Sequence, residues 1–282
     1  MINTAPARLT LPAVFLCLTA IPLARAQDAS DWDVQSHAAS RLIAGATIKT
    51  GDAAFLRAGV ELKLDPGWKT YWRDPGDSGV PPSLDFSGST NVKSVTVLWP
   101  APERFPDGAG GNSIGYTGRV ILPLRVAPEN AGKQSSLQLK LGYAVCGTLC
   151  VPVESNLKLA LSGDGAEEST LEKAEVRVPR RVPLGSGQGL AVVAVHREPG
   201  DAHDRVVVDV AAPEGVAVDL FVEGPTPDWS LPLPELSGEA GPMRHFSFDL
   251  DGLPPDAHAD GATLTFTAVT PDDAIEVSAH LD

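Results

Sequence analysis

Residues 137–161 read LQLKLGYAVCGTLCVPVESNLKLAL, and their apolar pattern indicates β-structure. Apolar side chains occupy every second position from Leu137 to Val145 and again from Leu157 to Leu161. A period of two is typical of strands that bury one face. If the three residues after Cys146 form a hairpin loop, Cys146 and Cys150 face each other at the strand ends, within reach of a disulfide bond.

The same period of two recurs along the chain. Residues 56–64 and 120–126 alternate in this way, and turn-forming Asp, Pro, Gly and Asn clusters lie between the segments. Many short strands separated by turns predict an all-β fold, an immunoglobulin-like antiparallel β-sandwich. Because single cores rarely grow much beyond ~200 residues, a chain of 282 residues predicts a second β-sandwich-like module. Its predicted strands are 191–195, 205–210, 216–222, 246–250, 264–268 and 275–281.

Residues 1–26 have the features of a secretory signal peptide. Arg8 provides a basic start, residues 9–21 are largely apolar, and Ala24-Arg25-Ala26 is a small-x-small cleavage site. The apolar run is too short to cross a bilayer, and no later segment reaches about 18 consecutive apolar residues. We therefore expect a periplasmic protein that is exported by this signal peptide and is not stably inserted in a membrane.

The rest of the chain divides into three predicted parts. A first domain covers residues 30–163 and contains the cysteine pair. Residues 164–186 begin with a helix-like acidic segment and end in prolines and glycines, which predicts a helical or flexible linker. The second β-rich module covers residues 187–282 and has no cysteine.

The acidic composition argues against one class of partner. The chain has 22 basic and 36 acidic residues. Removal of the signal peptide deletes two arginines and no acid, so 20 basic residues remain against 36 acidic ones, a net charge of −16. Such a charge repels phosphate backbones, so we expect no nucleic-acid partner.

The cysteines are the main candidates for chemistry. Cys17 lies in the signal peptide, which leaves Cys146 and Cys150 to pair in an oxidising compartment. So small a ring stabilises a fold by only ~2 kcal/mol, whereas its place at a strand end lets a partner thiolate attack it. The spacing favours redox exchange and leaves a structural disulfide open. A metal site is less favoured because no histidine lies between His37 and His196.

Two patterns in the sequence are typical of proteases, but the residues that should accompany them are missing. Gly76-Asp77-Ser78-Gly79 matches a serine-nucleophile motif, but it lies in a proline-rich stretch without the accompanying histidine motif, which predicts a turn. A cysteine protease would need a histidine base, and the strand-rich part of the first domain has none. No cofactor is expected.

Four segments in one order resemble the N-terminal domain of the disulfide-bond protein D (DsbD) family, especially the forms in suppressor-of-copper-sensitivity B (ScsB) proteins. The resemblance covers residues 60–155 and implies an immunoglobulin-like domain that relays reducing equivalents. The segments are PGWKTYWRDPGDSG (66–79), LWPAPERF (98–105), SIGY (113–116) and CGTLCVP (146–152).

The resemblance also implies roles for individual residues. Cys150 corresponds to the cysteine that forms the mixed disulfide with partners, and Cys146 to the one that resolves it. Residues 105–116 correspond to a cap loop that covers the pair until a partner docks, and aromatic side chains border the cysteines. The flanking candidates in this chain are Phe105, Asp107, Tyr116 and Tyr71.

Three departures from the family pattern matter. The cysteine spacing is shorter, the cap region is rich in glycine, and no transmembrane segment or thioredoxin-like Cys-x-x-Cys domain follows. We therefore expect a stand-alone exported protein that takes electrons from a separate membrane-embedded donor of the DsbD/CcdA type. The resemblance implies periplasmic thioredoxin-like oxidoreductases as the other partners.

Together these observations predict a periplasmic thiol–disulfide interchange protein with Cys146 and Cys150 as its redox pair, a protein-disulfide reductase if it is an enzyme. Two alternatives stay open. One is a non-enzymatic β-sandwich binding module in which the disulfide is structural. The other is a periplasmic copper-handling protein, linked to copper tolerance, that uses both cysteines as thiolates.

Overall fold

The structure, a computed structural model, describes residues 1–2, 28–51, 53–108 and 110–282. The predicted cleavage site and nearly all of the predicted signal peptide lie outside the described residues. The fold is almost entirely β, with 55% strand and 4% helix, so the predicted all-β class is confirmed. No helix in the described part of the chain has the length and apolar character of a membrane span.

The first unit consists of eleven strands. In chain order they are β1 (Asp33–Gln35), β2 (Ala38–Thr50), β3 (Ala53–Leu64), β4 (Lys69–Gly76), β5 (Ser83–Asp85), β6 (Val92–Val97), β7 (Glu103–Pro106), β8 (Asn112–Thr117), β9 (Arg119–Pro128), β10 (Ser135–Cys146) and β11 (Cys150–Leu161).

These strands form two antiparallel sheets that pack face to face. One sheet has the order β1-β2-β3-β9-β6, and the other has the order β11-β10-β4-β8-β7, with β5 paired to β10. The alternating apolar residues of both sheets meet in one buried core, for example Val60 with Leu124 on one side and Leu139 with Leu157 on the other. The apolar residues that recur with a period of two in the sequence thus form the inward face of each strand.

The β10–β11 hairpin follows the predicted pattern. Its ladder runs without interruption from Ser135↔Leu161 to Cys146↔Cys150, so the cysteines are directly opposed at its closed end. Because β10 also pairs with β4, through Val145↔Thr70 and Cys146↔Lys69, the hairpin end is held from a second side.

A helix, α1 (Glu168–Val176), follows the first unit inside the predicted linker. It packs against the first sandwich: Leu171 is fully buried, and a Cβ on Gly59 would lie 2.7 Å from its side chain. Arg57 of β3 donates a hydrogen bond of 2.9 Å to Glu175. The helical part of the predicted linker is therefore docked on the first unit.

The second unit, like the first, consists of two sheets, and here each sheet has four strands. Their orders are β12-β19-β18-β15 and β13-β14-β17-β16. The strands are β12 (Arg180–Arg181), β13 (Ala191–Glu198), β14 (Arg205–Ala211), β15 (Asp219–Glu223), β16 (Glu235–Ala240), β17 (Met243–Asp249), β18 (Thr263–Val269) and β19 (Ala274–His280).

Pairing in the second unit is antiparallel except between β12 and β19, which run parallel. Side chains such as Val208, Phe248 and Phe266 form its core. Strand β12 joins the second unit at residue 180, before the predicted module start at 187. The domain boundaries inferred from the sequence stay predictions.

Candidate redox site at the end of the β10–β11 hairpin

Cys146 and Cys150 are joined by a disulfide bond, with their Cα atoms 4.1 Å apart. The loop between them is closed by a hydrogen bond of 3.0 Å from the Gly147 N–H to the Leu149 carbonyl oxygen. The bond therefore lies at the tip of a hairpin, where another protein can approach it. Leu149 is 73% exposed beside it, an apolar side chain at a position that faces solvent.

The two cysteine residues differ in exposure. Cys146 is 2% exposed and packs with Tyr71 and Ala144, whereas Cys150 is exposed. Thiol–disulfide exchange requires the attacking thiolate to reach a sulfur. Of the two residues, Cys150 is therefore the more open to an external thiolate.

The Tyr71 hydroxyl lies 3.1 Å from the Cys146 sulfur and 3.5 Å from the Cys150 sulfur. Strand β4 brings it there, because β4 is the next strand after β10 in the sheet. Burial raises the pKa of Tyr71, and the negative charge of Asp107 raises it further. The hydroxyl thus keeps its proton at neutral pH and can donate a hydrogen bond to sulfur.

Gly79 allows a turn to pack on the ring of Tyr71. Its φ is +135°, and a Cβ at this position would lie 2.5 Å from a ring atom of Tyr71. The Gly76–Gly79 segment is therefore part of the wall of the site. The sequence indicated only a turn here, because a glycine that fits against an aromatic ring has no distinctive local pattern.

Trp68 borders the other side of the hairpin loop. A Cβ on Gly147 would lie 3.2 Å from the indole, which shows how closely the two approach. The indole is stacked on the ring of His37, with centroids 3.7 Å apart, and His37 contacts Asp65 at 3.1 Å. Trp68 is not among the flanking candidates named from the sequence, and it also packs against the core of the first unit.

The predicted cap region forms the β7–β8 hairpin and is tied to the Gly76–Gly79 turn. Asp107 accepts a hydrogen bond of 3.0 Å from the Gly111 N–H and one of 3.1 Å from the Ser78 hydroxyl. Asp77 accepts one of 2.8 Å from the Asn112 N–H. The two loops therefore support each other beside Tyr71.

The other flanking candidates are placed differently. Tyr116 is buried, and its hydroxyl donates a hydrogen bond of 2.8 Å to the Pro100 carbonyl oxygen rather than to a sulfur. The Phe105 ring lies 5.4 Å from the Lys69 ammonium. Of the flanking candidates named from the sequence, Tyr71 is the one whose hydroxyl contacts both cysteines. The capping role of residues 105–116 stays a prediction.

The described residues contain no group of three or more His, Cys, Asp or Glu side chains placed to hold a metal ion.

Residues 44–162 match the family model described as thiol:disulfide interchange protein DsbD, N-terminal. No curated protein matches the chain. Among solved structures, the crystal structure of the N-terminal periplasmic domain of ScsB from Proteus mirabilis is similar, with a TM-score of 0.71 and 22% identity. The match covers 90% of this chain and 98% of that one, so the two share a fold that extends over both units.

Proposed function

Residues 44–162 are an N-terminal domain of the DsbD/ScsB family, and from this premise we propose that the protein relays reducing equivalents through Cys146 and Cys150. The observation that carries the proposal is the asymmetry of the pair: the exposed residue Cys150 is bonded to the buried residue Cys146, whose sulfur lies 3.1 Å from the Tyr71 hydroxyl. This arrangement supports attack on Cys150 with Cys146 as the leaving group.

The protein is first reduced by a dithiol donor. A donor thiolate attacks the Cys150 sulfur, a new sulfur–sulfur bond forms, and the Cys146–Cys150 bond breaks with its electron pair on Cys146. The Tyr71 hydroxyl donates a hydrogen bond to the departing thiolate, which lowers the barrier. The donor's second thiolate then attacks the mixed disulfide and releases Cys150, so the donor leaves oxidised.

The reduced protein passes the two electrons on in the reverse order. The Cys150 thiolate attacks the disulfide of an acceptor and forms a mixed disulfide with it. Cys146 then attacks Cys150, the acceptor leaves as a dithiol, and the Cys146–Cys150 bond forms again. The position of Cys146 directly opposite Cys150 favours this resolving step, because the attacking thiolate is already next to the sulfur that it attacks.

The family and the surface support a proposal for the partners. We propose that the protein acts in the periplasm, with a membrane-embedded donor of the DsbD/CcdA type and thioredoxin-like oxidoreductases as acceptors. Support comes from the DsbD-type domain and from the periplasmic origin stated for the similar ScsB domain. The exposed Leu149 next to Cys150 provides an uncharged contact for such a partner.

A trapping experiment tests the proposal. The Cys146→Ser variant leaves Cys150 without its resolving thiol, so mixed disulfides with periplasmic oxidoreductases should accumulate and disappear on reduction. The matched control is Cys150→Ser, which leaves only the buried Cys146. Equal capture by both variants, or none by either, contradicts the assignment of Cys150 as the attacked sulfur.

The reduction potential separates the relay from a structural disulfide. A structural bond in an exported protein has a potential below about −300 mV, whereas a relay has one near those of its partners. Equilibration of the full chain with glutathione or dithiothreitol buffers gives this potential. A value far below −300 mV would exclude the relay.

A further inference from the structure

The ladder between β4 and β8 is interrupted immediately after Tyr71. Tyr71 pairs with Gly115, but the next pair is Gly76 with Ser113. β4 thus advances five residues while β8 advances two, and residues 72–75 bulge out of the sheet. Such bulges redirect side chains and are common beside active sites.

Side chains of the second unit hold this bulge. Arg73 donates hydrogen bonds of 2.8 and 2.6 Å to the two carboxylate oxygens of Glu223 and a third, of 2.6 Å, to Glu276. The ring of Phe221 lies 5.9 Å from that of Trp72, and both belong to one buried cluster. The second unit therefore provides contacts where the ladder to β8 stops.

A second arginine, directly before the predicted cap region, attaches β7 to the same unit. Arg104 of β7 donates three hydrogen bonds to the two carboxylate oxygens of Asp219, the shortest of 2.7 Å. It also donates to the carbonyl oxygens of Leu220 at 3.0 Å and Pro234 at 3.1 Å. Planar, charge-assisted contacts of this kind fix position and orientation together.

We propose that the second unit is a positioning element of the redox site. Through Arg73 and Arg104 it fixes β4 and the β7–β8 hairpin, and so holds the Tyr71 hydroxyl on the Cys146 sulfur. This inference rests on the proposed function, since it describes how the attacked disulfide keeps its hydrogen-bond donor.

Arg73 is two residues from Tyr71 on the same strand and is three-quarters buried at the side chain, with its charge balanced by two carboxylates. A partly buried, bidentate pair is worth more than an exposed one because water screens it less. Without the ion pairs of Arg73, the bulge of β4 after Tyr71 is no longer fixed to the second unit. The Tyr71 hydroxyl can then move relative to the Cys146 sulfur.

The test measures reduction of the disulfide in the full chain by dithiothreitol, which needs no protein partner. Dithiothreitol is oxidised as the bond is reduced, so the rate constant reports attack on Cys150 and departure of Cys146. We expect Arg73→Gln and Arg104→Gln each to lower it about threefold to tenfold, the size of a weakened hydrogen bond to a charged sulfur. Glu223→Gln probes the Arg73 contact from the second unit if Arg73→Gln folds poorly.

A double variant distinguishes positioning from a general structural effect. If Arg73 acts through Tyr71, its substitution has no further effect in the Tyr71→Phe background. The control is Arg197→Gln inside the second unit, whose side chain is about as buried as that of Arg73 but pairs at 2.6 Å with the exposed Asp260, and it should leave the rate unchanged. Unchanged rates in both interface variants, or full additivity with Tyr71→Phe, would overturn the proposal.

The positioning role and the relay can be refuted independently of each other. A very negative potential or failed trapping refutes the proposed function, whatever the interface variants do. Normal trapping with unaltered exchange rates in Arg73→Gln and Arg104→Gln refutes only the positioning role.

Discussion

Cys146 and Cys150 are directly opposed in one antiparallel ladder, yet only Cys150 is exposed. The difference arises because Cys146 ends a strand that is paired on both sides, under the Tyr71 ring, whereas Cys150 begins the edge strand β11. The two thiols of the reduced protein are therefore chemically distinguishable.

We predict that iodoacetamide modifies Cys150 at least about tenfold faster than Cys146 in the reduced full chain, because reaction at the buried thiol requires a local opening of ~1.4 kcal/mol or more. Mass spectrometry of the two peptides over time measures the ratio. In urea the ratio should fall towards one. A ratio near one in the native protein would contradict the burial of Cys146.

The Tyr71 hydroxyl gives a second prediction. Tyr71→Phe removes the hydrogen bond to sulfur and should slow reduction by dithiothreitol about tenfold, with a loss of stability of about 1 kcal/mol. Tyr116→Phe is the matched control, since it is equally buried at 6% exposure but bonds to Pro100. It should lower stability by a similar amount and leave the rate unchanged. Equal rate effects would place Tyr116 in the site as well.

The interface carboxylate Glu276 gives a pH dependence. Burial opposes its ionisation, but hydrogen bonds from Arg73 and the charges of Arg73 and Arg181 outweigh burial and lower the pKa of Glu276 below 4.5. The unfolded chain then binds this proton more strongly than the native one. The stabilising contribution is therefore complete above about pH 4.5 and is lost as the pH falls through the native pKa.

Glu276→Gln should consequently lower the free energy of unfolding at neutral pH and reduce its decline below about pH 4.5. Urea denaturation between about pH 3 and pH 7 measures both effects. Glu172→Gln, at a carboxylate of α1 that is 61% exposed, is the control for loss of one negative charge and should lower the free energy of unfolding at neutral pH by less. A parallel profile for Glu276→Gln and the unsubstituted chain would contradict the assignment.

Gly115 gives a prediction about the β4–β8 contact. A Cβ at this position would lie 1.9 Å from the Thr70 carbonyl oxygen, so alanine forces the two strands apart. We expect Gly115→Ala to lower the free energy of unfolding by about 3 kcal/mol, at the upper end of overpacking effects. Gly238→Ala is the control, because its Cβ would find its nearest neighbour at 3.7 Å. Similar losses for both variants would argue against the close approach.

The extent to which the fold was predictable differs from strand to strand. The segments around Leu139 and Val60 alternate because one face of each strand is buried, and both are strands in the structure. The predicted strand 205–210 is also confirmed, as Arg205–Ala211. β16 (Glu235–Ala240) was missed. It is a mostly exposed edge strand of sequence ELSGEA, so burial imposes no apolar alternation on it.

The sequence by itself determined the β-hairpin and the pairing of its cysteines, because a period of two and a three-residue loop fix a local register. The similarity to the DsbD family was also readable from short motifs in order. These features depend on residues close together in the chain.

Only the tertiary structure decided which sulfur is buried, that Tyr71 contacts the bond from 75 residues away, and that Arg73 reaches Glu223 across 150 residues. Such contacts arise where two sheets or two units meet. Their energies depend on burial and on distances between side chains, and neither quantity is encoded in local periodicity.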